Sequence, residues 1–98
     1  MIRAIQFVDR MDHRRTAQAG SIFINAPEDA DEADFWFYCP CGCGDLARIT
    51  IGKQHKPAGP EPTWHWNGSF TEATLGPSVN NQNCGWHGWL KDGYWEVC

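Results

Sequence analysis

The chain has 98 residues, which is the size of one domain, and 42% of them are hydrophobic. This apolar fraction, with six tryptophans, excludes a disordered chain. A net charge of −4 argues against nucleic-acid binding through phosphate contacts. No apolar run approaches the roughly 20 residues of a membrane span, and the charged N-terminus does not resemble a signal peptide. We therefore expect one cytoplasmic domain over residues 1–98, without a membrane or nucleic-acid partner.

Short elements precede the first cysteines. Residues 2–8 alternate between apolar and polar side chains, which predicts a strand, and residues 9–20 are predicted to form one helical turn or a loop. Ser21–Asn25 follows a glycine and is typical of a short strand. Residues 27–34 include five acidic side chains and are predicted to form a solvated loop.

The most strand-like segment runs directly into a cysteine cluster. Residues 35–38 are Phe-Trp-Phe-Tyr and end at Cys39, and residues 46–51 leave the cluster as a second strand. We expect these two strands to pair antiparallel, with the cysteines at the tip of the hairpin.

Glycine, proline and turn dipeptides divide the rest of the chain. Residues 52–62 are predicted to be a loop, and residues 75–83 to be irregular and then a polar loop. The Asp92-Gly93 pair predicts a tight hairpin turn. Three further strands are predicted over residues 63–66, 86–90 and 94–97. The whole pattern favours an all-β (or β-rich α+β) domain with a small antiparallel sheet of about six to eight short strands.

Two cysteine-containing segments carry the chemistry of the chain. They are Cys39-Pro-Cys-Gly-Cys-Gly44 and Cys84-Gly-Trp-His87. An odd number of cysteines without a signal peptide disfavours a disulfide framework, and a C-x-C-x-C spacing is too short for pairing within the cluster. Thiolate and imidazole ligands suit Zn²⁺, and a structural zinc site takes four of them. The candidate ligands are Cys39, Cys41, Cys43, Cys84 and His87.

A zinc knuckle at a hairpin tip accounts for the glycines in the first segment. Gly42 and Gly44 permit positive φ angles, so that successive sulfur atoms can converge on one ion. We expect Cys84 and His87 to bind together with two of the three clustered cysteines. Cys98 is expected to be a free or packing thiol.

Other metal chemistries remain open. The Cys84-x-x-His87 pair resembles the second half of a Rieske motif, but no histidine follows the first cysteines at the C-x-H spacing that a Rieske centre needs. A zinc enzyme would need three protein ligands and a water, with His65, Glu61 or Asp45 as the base. A crowded thiol cluster could also act as a redox sensor. Ser78 has no base next to it in the sequence and does not lie in a nucleophile-elbow motif.

The order of these motifs carries a family resemblance. The Cys39–Gly44 run, Trp64–Gly68, Leu75–Val79, the Cys84-x-x-His87 pair and Asp92-Gly-x-Trp95 occur in this order. Over residues 20–97 the chain resembles a small Cys/His-rich domain family of bacteria and phages, often labelled ammonia-monooxygenase-like. The resemblance implies a small zinc domain, encoded in some members beside ubiquitin-like conjugation components. It implies no established reaction.

The thiol-rich ligand set favours a closed structural site over a catalytic one. We therefore expect a zinc-stabilised protein-interaction or accessory module whose partner is a protein, and we assign no catalytic residue. The alternatives are a small zinc hydrolase and a thiol-redox or iron–sulfur protein.

Overall fold

A computed structural model describes residues 2–27 and 30–97. It contains one helix, α1 (Arg10–Thr16). The strands of the described residues are β1 (Ile2–Arg3), β2 (Gln6–Phe7), β3 (Ile22–Asn25), β4 (Glu32–Tyr38), β5 (Leu46–Lys53), β6 (Thr63–Trp66), β7 (Leu75–Asn81), β8 (Trp86–Lys91) and β9 (Tyr94–Val97). No helix in this part of the chain is both long and apolar enough to cross a membrane.

The strands form one curled sheet in the order β1-β9-β8-β7-β6-β5-β4-β3-β2. Because β1 and β2 are separated by only two residues, the N-terminal segment occupies both ends of this order. The amide of Ala4 donates to the carbonyl of Gly93 at 2.8 Å, and the amide of Ile22 donates to the carbonyl of Ile5 at 2.9 Å. The segment thereby covers two edges that would otherwise leave backbone groups unpaired.

The all-β class that the sequence predicts is confirmed, and so is the hairpin of β4 and β5 with the cysteines at its tip. The sheet is mixed, because β2 pairs with β3 and β5 pairs with β6 in parallel. The Asp92-Gly93 pair forms the predicted turn between β8 and β9, with Lys91 opposite Tyr94.

Three local predictions differ from the structure. The single strand predicted over residues 2–8 is two strands, β1 and β2, which pair with β9 and β3. Residues 75–81 form β7 although Gly76 and Pro77 suggested irregular chain, and the irregularity is confined to a register shift between Leu75 and Val79. The acidic segment is only partly a loop, since β4 already begins at Glu32, where the register with β5 places Ala33 opposite the buried Ile51. The two acidic residues at positions 28–29 of this segment lie outside the described residues.

Large aromatic side chains fill the centre of the curled sheet. Trp95 packs against Phe37 with ring centroids 5.2 Å apart and against Trp86 edge to face at 5.4 Å. The indole N–H of Trp95 donates to the carbonyl of Gly20 at 2.8 Å, so its polar atom is satisfied although the side chain is buried. This core packs against the inner face of β8 and β9. The outer face of these strands carries the polar residues described next.

Candidate functional site: a thiol cluster and a Ser–His pair

The first three cysteines lie in the connection between β4 and β5. The amide of Cys39 donates to the carbonyl of Asp45 at 2.9 Å, which continues the strand pairing and closes the connection into a compact loop. Gly42 and Gly44 have φ angles of 88° and 84°. The positive φ angles expected at both glycines are therefore confirmed, and they turn the chain so that the thiols point to one side.

Four thiols meet at this loop. Cys84 comes from the turn between β7 and β8, and its Sγ lies 3.0 Å from Sγ of Cys39 and 3.4 Å from Sγ of Cys41. The sulfur atoms of Cys39 and Cys41 are 3.2 Å apart, and with Cys43 the four ligand atoms all lie within 4.8 Å of one another. Cys39 is buried and the other three cysteines are exposed. Two distant segments of the chain thus contribute to one group of donors.

This donor set fits a metal ion. Four sulfur atoms around a tetrahedral Zn²⁺, each at about 2.3 Å, are about 3.8 Å apart, so the close pairs here need to separate by less than about 1 Å. The donors are all thiols, which select soft or borderline metals such as zinc over calcium or magnesium. The four cysteines could therefore hold a metal ion, which is consistent with a small metal-binding domain.

The environment of the thiols favours one thiolate at neutral pH. Burial, together with a hydrogen bond to Cys84, raises the pKa of Cys39 to about 12. Hydrogen bonds from the Cys39 and Cys43 side chains lower the pKa of the Cys41 thiol to about 7. A thiolate is the form that binds metal, so the exposed Cys41 can bind directly, whereas the buried Cys39 would release its proton to solvent as an ion binds.

A carboxylate joins the two cysteine-bearing segments. Asp45 Oδ2 accepts hydrogen bonds from Nδ2 of Asn81 at 3.0 Å and from Nδ2 of Asn83 at 3.2 Å. Asn81 is buried, and its backbone carbonyl accepts from the amide of Gly85 at 2.8 Å, which closes the turn that presents Cys84. These hydrogen bonds hold the turn that carries Cys84 beside the cysteine loop.

The fifth candidate ligand, His87, is not one of this group of four donors. It lies on β8 between the buried Trp86 and Gly88, and because side chains alternate along a strand it points to the outer face. Its Nε2 is 2.7 Å from Oγ of Ser78 on β7. The fifth cysteine, Cys98, lies outside the described residues.

The Ser78–His87 pair has the geometry of an activated hydroxyl. When Nε2 of His87 is unprotonated it accepts the hydrogen bond from the Ser78 hydroxyl, and this is the arrangement in which imidazole takes a proton from a serine nucleophile. The carbonyl of Ser78 accepts from the indole N–H of Trp64 at 3.1 Å, which fixes the backbone beneath the hydroxyl. His87 is exposed and Ser78 is half-buried, so the pair is accessible from solvent.

No base lies next to Ser78 in the sequence, but the fold brings the imidazole of His87 beside its hydroxyl from the neighbouring strand. The two residues are nine positions apart and become neighbours because β7 and β8 form a hairpin in which Asn80 lies opposite His87. A strand assignment for residues 75–81 would have placed them on one face. The Gly-Pro pair before Ser78 concealed that assignment.

The other candidate bases have different surroundings. The Asp45 carboxylate is engaged by Asn81 and Asn83, as described above. His65 and Glu61 are exposed, and His65 lies on β6 opposite Gly76. Within the described residues, no hydrogen bond joins either side chain to the thiol cluster.

Comparison with known families places the chain among bacterial proteins. A family model described as bacterial ubiquitination-like system serine protease (BubE) matches residues 7–98. This description agrees with the link to ubiquitin-like systems that the resemblance implied, and it does not carry the ammonia-monooxygenase-like label. No curated protein and no solved structure gives a significant match.

Proposed function

We propose a function from the premise that the chain belongs to the BubE family, bacterial ubiquitination-like system serine proteases. In this proposal the protein is a serine hydrolase in which Ser78 is the nucleophile and His87 the general base. The observation that carries it is the 2.7 Å separation between Oγ of Ser78 and Nε2 of His87. A structural zinc ion held by the four clustered cysteines completes the proposal.

The chemistry follows from the pair alone. Nε2 of His87 takes the hydroxyl proton as Oγ of Ser78 attacks a carbonyl carbon, and the protonated imidazole then gives that proton to the leaving group. An acyl-enzyme remains on Ser78. A water molecule, deprotonated by the same imidazole, releases the acid product and restores the serine.

The metal site supports a structural role for the ion. Four thiols satisfy a tetrahedral zinc ion and leave no position for a substrate or an activated water. The cluster lies at one end of the β7–β8 hairpin, and Ser78 and His87 lie on the two strands of that hairpin. An ion at the cluster therefore stabilises the hairpin that aligns the Ser–His pair, and the same domain can still bind a protein partner as its substrate.

Labelling with an alkyl fluorophosphonate tests the nucleophile. We expect a single adduct, located on Ser78 by peptide mass spectrometry, and none in Ser78→Ala. Ser69→Ala is the matched control, because Ser69 is also half-buried but its hydroxyl accepts a hydrogen bond from the Glu72 amide at 3.0 Å. His87→Ala is expected to lower the labelling rate by about 10²–10⁴-fold. Equal labelling of Ser78→Ala and the unmodified protein would refute the proposal.

The metal content of two variants shows whether His87 acts as a base or as a metal ligand. If His87 acts as a base, His87→Ala retains one zinc ion per chain, whereas Cys84→Ser loses it. If His87 is a ligand, both variants lose zinc. Metal content measured on the purified variants, with iron and sulfide measured beside zinc, also tests the iron–sulfur alternative.

A further inference from the structure

The strand β6 is shorter than both of its neighbours. It has four residues, whereas β5 has eight and β7 has seven. Pairing between β5 and β6 begins at Thr50 and Thr63, and β6 pairs with β7 only at His65 and Trp66. Residues 46–49 of β5 and 78–81 of β7 therefore lie beyond the last residues that pair with β6, on the side of the cysteine cluster. We refer to the space between these two segments as the interval.

The residue before β6 explains why pairing stops. In a parallel ladder the next hydrogen bond along β5 would run from the amide of residue 62 to the carbonyl of Arg48. Residue 62 is a proline and has no N–H to donate. The carbonyl of Arg48 is consequently left without a partner on β6.

The backbone of β5 presents hydrogen-bonding groups to the interval. Bonds from the Cys39 amide to the Asp45 carbonyl and from the Lys53 amide to the Asp31 carbonyl show that odd-numbered residues of β5 bond to β4. Backbone groups alternate in direction along a strand. The N–H and C=O of Leu46 and Arg48 therefore point toward the interval.

The backbone of β7 does the same from the other side. The two-residue turn after Lys91 makes Lys91 and Tyr94 a hydrogen-bonded pair, and alternation then directs the backbone of Gly88 toward β7. Val79, opposite Gly88, bonds to β8, so the N–H and C=O of Asn80 point away from β8 into the interval. The bond from the Trp64 indole to the Ser78 carbonyl confirms that Ser78 faces the same way.

Backbone hydrogen-bond donors and acceptors thus line both sides of the interval. In the described part of the chain, no backbone hydrogen bond satisfies the inward-facing groups of Leu46, Arg48 and Asn80. Two strands that flank one missing strand are about 9.6 Å apart, which is the width that a single extended chain fills. A cavity of about 340 Å³ lies against β5 and the start of β6, lined in part by Arg48, Glu61 and Trp64, and the Asp45–Asn81 bond joins β5 to β7 near the cysteine cluster.

We propose that an extended polypeptide segment binds in the interval as an added strand, hydrogen-bonded to β5 and β7, and that this places its backbone beside Ser78. The inference rests on the proposed serine hydrolase and names its substrate class as an unfolded or extended chain. Main-chain hydrogen bonds supply the affinity in this mode of recognition, so tolerance of different side chains is expected.

Proline substitutions test the inference because they remove one inward-facing N–H while leaving the bonds to β4 and β8 intact. The probes are a tetrapeptidyl diphenyl phosphonate library with randomised side chains and an ethyl diphenyl phosphonate that has no peptide backbone. We expect Ser78 to react faster with the library. Arg48→Pro is expected to slow the library reaction at least about five-fold relative to Arg48→Ala, and to leave the ethyl phosphonate rate unchanged.

The comparison of Asn80→Pro with Asn80→Ala repeats the test on the opposite strand. If the circular dichroism spectrum shows that Arg48→Pro does not fold, the Asn80 pair alone tests the inference. Equal library rates within each Pro and Ala pair would overturn the inference, as would a library that reacts no faster than the ethyl phosphonate. Failure of both phosphonates to modify Ser78 would instead overturn the proposed function, and the inference with it.

Discussion

Asp45 accepts a hydrogen bond from the buried side chain of Asn81 at 3.0 Å. This contact joins the loop that carries three of the clustered cysteines to the turn that carries the fourth. It also connects the metal site to the Ser–His pair, because Asn81 is the last residue of β7 and Ser78 lies three positions earlier on the same strand. In the proposed function, metal binding and the alignment of Ser78 therefore depend on one hairpin.

Removal of the metal is expected to destabilise the domain strongly. Structural zinc contributes about 10 kcal/mol or more to the folding of small domains, which is comparable with the whole stability of a domain of this size. We expect the zinc-loaded protein to contain one ion per chain and a strong chelator to lower its melting temperature by at least about 15 °C.

Cysteine variants provide the control for that measurement. Cys84→Ser removes one of the four grouped thiols, and its melting temperature is expected to be insensitive to the chelator. Cys98→Ser removes the remaining cysteine and is expected to respond as the unmodified chain does. A chelator-treated protein that retains its circular dichroism spectrum and melting temperature would contradict a structural role for the metal.

Asp45→Ala is expected to weaken metal binding although Asp45 is not one of the four donors. The substitution leaves the buried Nδ2 of Asn81 without an acceptor, at a cost of about 1–3 kcal/mol. Loss of a supporting hydrogen bond of this kind typically lowers metal affinity by about 10–100-fold. Competition with a chromophoric chelator measures the effect.

Two further substitutions serve as controls for the zinc affinity of Asp45→Ala. Asp45→Asn retains a side-chain oxygen that can accept both bonds, so its zinc affinity is expected to fall less. Asp31→Ala removes an exposed carboxylate for which the described residues show no side-chain hydrogen bond. If Asp45→Ala binds zinc as tightly as Asp31→Ala, the bonds to Asn81 and Asn83 do not support the cluster.

The cysteine loop was predictable because its signals are local. The three cysteines and the glycines between them lie within six consecutive residues, and the strands on either side are rich in aromatic and β-branched residues. The Asp92-Gly93 turn was predictable for the same reason, since a dipeptide determines its backbone conformation.

The partner of Ser78 was not predictable, because it depends on pairing between strands. The turn between β7 and β8 sets a register with Asn80 opposite His87, and that register brings His87 to Ser78, yet no spacing in the sequence reveals it. The C-x-x-H spacing indicates a metal ligand at His87. Alternation along β8 directs its side chain to the outer face, where Ser78 lies.

Gly88→Ala is expected to disrupt the hairpin that carries the Ser–His pair. A Cβ at this position would collide with the backbone carbonyl of Glu96 and would lie 2.6 Å from the ring of the buried Trp86. Neither group can move without shifting β9 or the core, so we expect a loss of about 2 kcal/mol or more in the free energy of unfolding. Urea denaturation measures this loss.

Gly76→Ala is the matched control on the adjacent strand, because a Cβ there meets no atom within 4 Å. Its stability is expected to remain within about 1 kcal/mol of the unmodified chain. Equal stabilities for the two alanine variants would show that the contact between β8 and β9 at Gly88 is looser than the structure indicates.

The buried His13 is expected to make the stability depend on pH. Its side chain lies on α1, its Nε2 is 3.1 Å from the carbonyl of Ser21, and its ring centroid is 4.9 Å from that of Tyr38. Burial lowers the pKa of His13 below its usual value of 6.5, partly offset by the bond to Ser21 and reinforced by the nearby charge of Arg14. At low pH, His13 therefore binds a proton more readily in the unfolded chain than in the folded one. Stability from this group is complete above pH 6.5 and decreases as the pH falls below that value.

Glutamine substitutions separate this effect from the opposite one at His55. A hydrogen bond with Glu32 raises the pKa of the exposed His55, so its contribution is present below pH 6.5 and is lost as the pH rises. Urea denaturation is measured at pH 5.5 and pH 7.5, on the order of one unit either side of the usual histidine pKa. Between these two pH values, the free energy of unfolding is expected to fall less on acidification for His13→Gln than for the unmodified chain. His55→Gln is expected to show a larger loss. An unchanged pH dependence in His13→Gln would mean that the imidazole is protonated as readily in the folded protein as in the unfolded chain.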